Sequence, residues 1–209
     1  MKTEVLRIDH PVALEHAQDI LQHGGLVAFP TDTIYGLAAT MFTVQSIEQL
    51  YIARGSSSSN SRAVSILISS LDELSQITVK MSPMEMRLAE HFWPGQLTLV
   101  LPAKKNLPLN LLQEGNMGVR MPDHPAALAL LRKTGPLAVT AANLAGQDYT
   151  YTAQDVLKQM KGRVHLVLDG MPQPQGLPST IVECAGETLV VLRRGSVTEE
   201  RVRQVLQAA

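Results

Sequence analysis

The chain has 209 residues, enough for one domain with a sizeable core. Apolar residues make up 45% and charged residues 18%, which excludes an intrinsically disordered chain. A formal net charge of −1 excludes a whole-molecule electrostatic grip on nucleic acid and leaves room for a local basic face only. Cys184 is the sole cysteine, so no internal disulfide can form and a reducing, cytoplasmic setting is expected. The first nine residues lack the apolar segment of a signal peptide. No apolar run approaches the roughly 20 residues of a bilayer span, so no membrane association is expected.

In chain order, residues 12–22 place Val12, Ala13, Ala17, Ile20 and Leu21 at helical spacing, with Gly24 as a natural stop. An apolar strand at 26–29 then runs into Pro30-Thr-Asp-Thr-Ile-Tyr-Gly-Leu37, where polar side chains replace apolar ones. From Arg54 to Arg62 the chain reads Arg-Gly-Ser-Ser-Ser-Ser-Asn-Ser-Arg. That stretch reads either as a solvated connector or as a cationic loop that closes over an anion. Further strands are expected at 64–68, 97–101, 117–120, 137–140, 164–168, 180–183 and 189–192. Several are nearly continuous in Val, Leu and Ile, as strands buried on both faces tend to be.

Ser82-Pro-Met-Glu85 is a capping box with proline at the first helical position. Asp123 reads as the start of a helix that ends near Gly135. Thr152-Ala-Gln-Asp155 and Ser196-Val-Thr-Glu199 open two more, the last forming a surface helix over 198–209. Strands 180–183 and 189–192 should pair as an antiparallel hairpin. Strands and helices intermingle without a composition break. The expected fold is therefore α/β, one domain over 1–209, with a twisted mixed sheet and flanking helices.

The sequence has no P-loop, no Rossmann glycine fingerprint and no Gly-x-Ser-x-Gly elbow. Its six histidines show no metal-ligand spacing, so no metal site is expected. Cys184 reads as strand packing and not as a nucleophile. What remains is polar residues at strand ends: Thr31, Asp32, Thr33 and Tyr35, then Arg120, Thr140-Ala-Ala-Asn143, Pro178-Ser-Thr180 and Arg193. Polar groups at such ends converge on ligand crevices in α/β sheets. Arginines with hydroxyls and an Asn, and no evident nucleophile, fit phosphate and carboxylate binding by charge-assisted hydrogen bonds. Chemistry there would rest on positioning and electrostatics.

At these residues the sequence resembles the YrdC-like family, the threonylcarbamoyl-AMP synthases, over roughly residues 12–197. Pro30 to Leu37 is similar to the family's Pro-Thr-Asp/Glu-Thr-Val-Tyr-Gly-Leu. Trp93-Pro-Gly-Gln-Leu-Thr-Leu-Val100 is similar to its Trp-Pro-Gly-Pro-Leu-Thr-Leu. Gly118-Val-Arg-Met-Pro-Asp-His-Pro125, Thr140-Ala-Ala-Asn143, Pro178-Ser-Thr180 and Leu192-Arg193 follow in the family's order.

The resemblance implies a YrdC-like (DHBP synthase-like) fold with a basic concave face. It implies a nucleotidyltransferase that condenses L-threonine with bicarbonate and transfers AMP from ATP, releasing pyrophosphate. The adenylate would serve threonylcarbamoylation of adenosine 37 in tRNA, with tRNA or double-stranded RNA and the downstream transfer machinery as partners. Mg²⁺ would accompany the ATP phosphates.

Position by position, Thr33 and Ser179 would lie near threonine, with Tyr35 in the same crevice, and Arg120 would hold the threonine carboxylate. Thr140 and Asn143 would contact nucleotide or threonine, and Arg193 would face the phosphates. Arg54, Ser56 and Arg62 belong to the phosphate loop, and Arg54, Arg62 and Thr33 are the residues assigned to catalysis. Thr33→Val would on this reading change stability little.

Two positions depart from the family pattern. Its Lys-x-Arg places Lys on Arg54 and Arg on Ser56, while Ala141 stands where the family has Ser. The alternative function is therefore a divergent member that binds nucleotide or RNA without efficient catalysis, or that adenylates a different carbamate.

Overall fold

The computed structural model describes residues 1–56, 64–170, 176–186 and 188–208. Beyond Ser56, the expectation for the serine-rich loop, Arg62 included, lies outside the described residues. Ten strands form one sheet among them. They are β1 (Glu4–Arg7), β2 (Val27–Phe29), β3 (Gly36–Thr40), β4 (Ser65–Leu67), β5 (Leu97–Pro102), β6 (Asn116–Arg120), β7 (Leu137–Ala141), β8 (Leu166–Asp169), β9 (Thr180–Ala185) and β10 (Thr188–Arg193). Their spatial order is β1-β8-β2-β3-β7-β4-β6-β5-β9-β10. β8 pairs parallel with both β1 and β2, and β4–β6 and β5–β9 are also parallel. The remaining pairs are antiparallel, including the expected β9–β10 hairpin, so the sheet is mixed.

The helices are α1 (Ala13–Gln22), α2 (Val44–Arg54), α3 (Leu74–Ile77), α4 (Pro83–Phe92), α5 (Pro125–Thr134), α6 (Ala153–Met160) and α7 (Glu199–Gln207). Successive strand residues point to opposite faces, and the core divides accordingly. Val27 and Phe29 of β2 pack with Ala13, Ala17 and Leu21 of α1 and Leu130 and Leu131 of α5. Ala28, between them, joins the larger cluster with Leu50 of α2, Leu88 of α4, Val156 of α6 and Val202 of α7. Helices thus cover both faces, which is why so many strand residues are apolar on both sides. No helix among the described residues is long and apolar enough to cross a membrane.

Four elements were not legible from periodicity, among them the single-turn helix α3. β1 is a mostly exposed edge strand held by its parallel pairing to β8. β3 reads Gly-Leu-Ala-Ala-Thr, poor strand formers in isolation, and is fixed by pairing with β2 and β7 on its two edges. α2 has no strong apolar stripe and is started by Thr43, whose hydroxyl accepts from Ser46 N.

Two helix starts are corrected. His124, not Asp123, caps α5, its Nδ1 accepting from Ala127 N at 3.4 Å. Thr198, not Ser196, caps α7; Ser196 instead donates its hydroxyl to Leu177 O at 2.7 Å. α7 is also more than a surface helix, since Val202 and Val205 are buried. The capping boxes at Ser82/Glu85 and Thr152/Asp155 form as expected.

Candidate functional site

The turn between β2 and β3 is organised by Thr31. Its hydroxyl donates to Ile34 O at 2.6 Å and accepts from Thr33 N at 3.2 Å. The Thr31 proton is therefore committed. In the 3.1 Å contact between the two hydroxyls Thr33 is the donor, which leaves Thr33 Oγ1 as an acceptor. That acceptor takes Arg120 Nη1 at 3.0 Å.

Arg120, at the end of β6, is held at two further points. Nε donates to Gly95 O at 2.8 Å, and Nη2 donates to Asp32 Oδ1 in a close ion pair. Burial pulls the Arg120 guanidinium below its ordinary pKa, and Asp32 opposes that fall. The second Asp32 oxygen is buried without a partner among the described residues. The Trp93-Pro-Gly-Gln96 segment acts as the bracket for this pair. A Cβ on Gly95 would lie 2.5 Å from Phe92 O, so the tight backbone needs glycine there. Gln96 Nε2 then reaches Asp32 O at 2.9 Å.

Two other arginines enter the same space from different elements. Arg54, in the last turn of α2, donates from Nη1 to Thr140 Oγ1 at 2.7 Å and from Nε to Asn143 O at 3.1 Å. Arg193, at the end of β10, grips Ser179 O through Nε at 3.1 Å and Nη2 at 2.8 Å, and Ser179 Oγ at 3.0 Å. Ser179 Oγ also pairs with Thr98 Oγ1 at 2.8 Å. The close approach depends on Gly195, where a Cβ would fall 2.1 Å from Pro178 O.

Both Arg54 and Arg193 are partly buried, and burial lowers the pKa of each. Neither has a carboxylate partner among the described residues, whereas Arg120 has Asp32. A charge withdrawn from water without a counter-charge is costly, so the pair is suited to an anionic ligand.

These side chains line one crevice of about 200 Å³ that holds Thr31, Thr33, Tyr35, Arg54, Arg120, Thr140, Ala141, Ser179 and Arg193. A second cavity of about 230 Å³ adjoins it, sharing Ser65 and Arg193, with apolar walls such as Val64, Leu111 and Ile181 and with Asn116, Glu114 and Glu183 also in its lining. Tyr35 is among the crevice residues but is only 1% exposed; its side chain packs in the core, where the hydroxyl accepts from Gly170 N at 3.2 Å and burial raises its pKa.

Two expected residues stand elsewhere. Asn143 is not among the crevice-lining residues; its Nδ2 donates to Leu144 O and Gln147 O at 2.9 Å each, and its Oδ1 is buried without a partner among the described residues. Ser56 turns back on α2, with its amide and hydroxyl both on Tyr51 O. The sequence reading missed Thr98 and Tyr149 in the lining. Among the described residues no three His, Cys, Asp or Glu side chains converge on a metal position. Cys184 is half-buried in β9, with its thiol pushed up to about 11 by burial, which suits packing and not nucleophilic attack.

The molecule is thus an α/β protein with a mixed sheet and a cationic, hydroxyl-rich crevice at its strand ends. The chain belongs to the Sua5/YciO/YrdC family, described as telomere recombination, whose family model matches residues 19–195. It is similar to the threonylcarbamoyl-AMP synthase of Bacillus subtilis (strain 168), 35% identical over 207 residues, covering 98% of this chain and 59% of that protein. The threonylcarbamoyl-AMP synthase of Pyrococcus abyssi is 32% identical over 193 residues, covering 91% and 56%. The chain thus spans less than three fifths of the length of these two relatives.

Among solved structures, P. abyssi Sua5 complexed with L-threonine matches with a TM-score of 0.88 and 29% identity, over 98% of this chain and 60% of that one. E. coli YciO matches with a TM-score of 0.84 and 26% identity, over 97% and 100%.

Proposed function

We propose that this chain is a threonylcarbamoyl-AMP synthase. It would take ATP, L-threonine and bicarbonate as substrates and release threonylcarbamoyl-adenylate and pyrophosphate. The observation that carries the reading is the pair Arg54 and Arg193, two partly buried guanidiniums that share a crevice and lack carboxylate partners among the described residues. The relatives named as synthases, and the related protein crystallised with L-threonine, supply the substrate class.

In this reading the threonine amine attacks CO₂ derived from bicarbonate, forms the N–C bond and loses a proton. A carbamate oxygen then attacks the α-phosphorus of ATP, and the bond to the pyrophosphate leaving group breaks. Arg120 anchors the threonine carboxylate. A guanidinium has five N–H donors, and three of Arg120's are used by Gly95, Thr33 and Asp32, which leaves two. Thr33 and Ser179 border the amino acid, with Tyr35 forming the wall. Arg54, held by Thr140, and Arg193 face the phosphates, where they stabilise charge that builds as pyrophosphate leaves.

The adjoining cavity, whose apolar wall stands beside Asn116, Glu114 and Glu183, would receive the nucleobase. Mg²⁺ would enter with the nucleotide, since among the described residues the crevice offers cations and hydroxyls and no cluster of carboxylates. Asp32 is tied to Arg120, and no side chain is assigned as general base. The product would serve tRNA threonylcarbamoylation in the cytoplasm, with tRNA and the downstream transfer machinery as partners.

A second reading, a family member that binds nucleotide or RNA with little turnover, is favoured by Ser56. It replaces a family cation, and its hydroxyl is spent on Tyr51 O. Calorimetry with ATP on wild type, Arg54→Gln and Arg193→Gln tests the phosphate assignment. Each variant should bind about tenfold more weakly or worse, as loss of a charge-assisted hydrogen bond predicts. Unchanged affinity in both would remove the assignment.

A further inference from the structure

Tyr149 lines the crevice alongside Arg54, Thr140 and Arg193, although neither a motif nor a strand end points to it. Its neighbours in the chain are pinned. Asp148 O accepts from Gln159 Nε2 at 3.0 Å. Thr150, only 1% exposed, accepts Tyr35 N on its carbonyl at 2.9 Å and donates its hydroxyl to Ala142 O at 3.1 Å. The Asn143 side chain closes the same loop by bridging Leu144 O and Gln147 O.

With Thr150 fixed in the core, the Tyr149 ring is left 38% exposed at the crevice. Its phenol lies within electrostatic reach of both guanidiniums, Arg54 and Arg193. Among the described residues its hydroxyl makes no hydrogen bond. A guanidinium has only donors, so neither arginine can accept the phenol proton. An anion placed at the two cations can accept it.

Resting on the nucleotide reading above, we propose that the Tyr149 hydroxyl donates a hydrogen bond to a phosphate oxygen of the ligand held by Arg54 and Arg193. Tyr149 is then a phosphate-binding side chain, a neutral donor beside the two cations Arg54 and Arg193. A ring that instead stacked on the nucleobase would leave its hydroxyl free of phosphate, and the two roles separate cleanly by substitution.

The test is calorimetry on wild type, Tyr149→Phe and Tyr149→Ala with three probes: ATP, inorganic pyrophosphate and adenosine. Tyr149→Phe keeps the ring and deletes the donor. It should lose about tenfold in affinity for ATP and for pyrophosphate, as expected for a hydrogen bond to a charged group. Its adenosine affinity should be that of wild type. Wild-type affinity for pyrophosphate in Tyr149→Phe overturns the proposal while leaving the nucleotide reading in place. So does loss of adenosine affinity in Tyr149→Ala with Tyr149→Phe unaffected, which would make the ring a stacking platform. A wild-type protein that binds neither ATP nor pyrophosphate overturns the nucleotide reading, and the Tyr149 assignment falls with it.

Discussion

The Asp32 carboxylate and the Arg120 guanidinium form a buried ion pair, their side chains 10% and 7% exposed, beneath the crevice. Gly95 O and Thr33 Oγ1 complete the cradle around the arginine. Arg120 is thus held before any ligand arrives, and its remaining N–H groups are fixed in direction. Removing one partner of such a pair leaves a buried charge uncompensated. Asp32→Ala should therefore cost about 3–5 kcal/mol of stability, read from urea denaturation midpoints. Arg120→Lys keeps the charge but cannot span three acceptors with one ammonium. In the folded variant, threonine affinity should fall more than ATP affinity; calorimetry showing threonine binding unchanged would remove Arg120 from the carboxylate role.

Thr33→Val is expected from sequence to be nearly neutral for stability, and the structure replaces that expectation. Thr33 is 1% exposed, and its hydroxyl is both donor to Thr31 and acceptor for Arg120. A valine there leaves a charged donor unsatisfied. The loss should be about 1.5–3 kcal/mol, together with weaker threonine binding. A variant with wild-type denaturation would show that the Thr33 hydroxyl contributes nothing to the cradle.

His124 gives the fold an acid-side sensitivity. Its Nδ1 must be unprotonated to accept from Ala127 N and cap α5. Burial lowers its pKa, and the nearby Asp32 and Asp123 oppose that shift without reversing it. A base whose folded pKa lies below its unfolded value contributes stability that is fully present above the unfolded pKa, about 6.5. That stability is lost as pH falls from there through the lowered folded pKa. His124→Asn retains a capping acceptor that does not titrate. Between pH 7 and pH 5, urea midpoints of wild type should fall more steeply than those of the variant, by up to about 1 kcal/mol for one cap. Parallel pH profiles would show that the cap is not the titrating feature.

Much of the sheet was legible because its strands are short apolar runs bounded by turn residues, as at 97–101 and 164–168. β3 was not, because alanine and glycine become a strand only when β2 and β7 supply partners. The site residues at strand ends were visible as polar breaks in apolar runs, and Thr33, Arg120, Ser179 and Arg193 do meet in one crevice. Their mutual bonding was not visible. Nothing in the spacing of Asp32 and Arg120 reports that they pair across 88 residues. Tyr149 escaped notice because its role depends on Thr150 being pinned inward, a tertiary fact. That Asn143 also braces the loop carrying Tyr149, through Nδ2, is not visible in its spacing either.

The most direct test of the central claim is mass detection of products after incubating the protein with MgATP, bicarbonate and L-threonine. The account predicts a species with the mass of threonylcarbamoyl-adenylate, formed together with pyrophosphate, absent when threonine or bicarbonate is omitted and strongly reduced in Arg54→Gln. Pyrophosphate release that is indifferent to threonine, or no adenylate from a protein that binds both ATP and threonine, would contradict it.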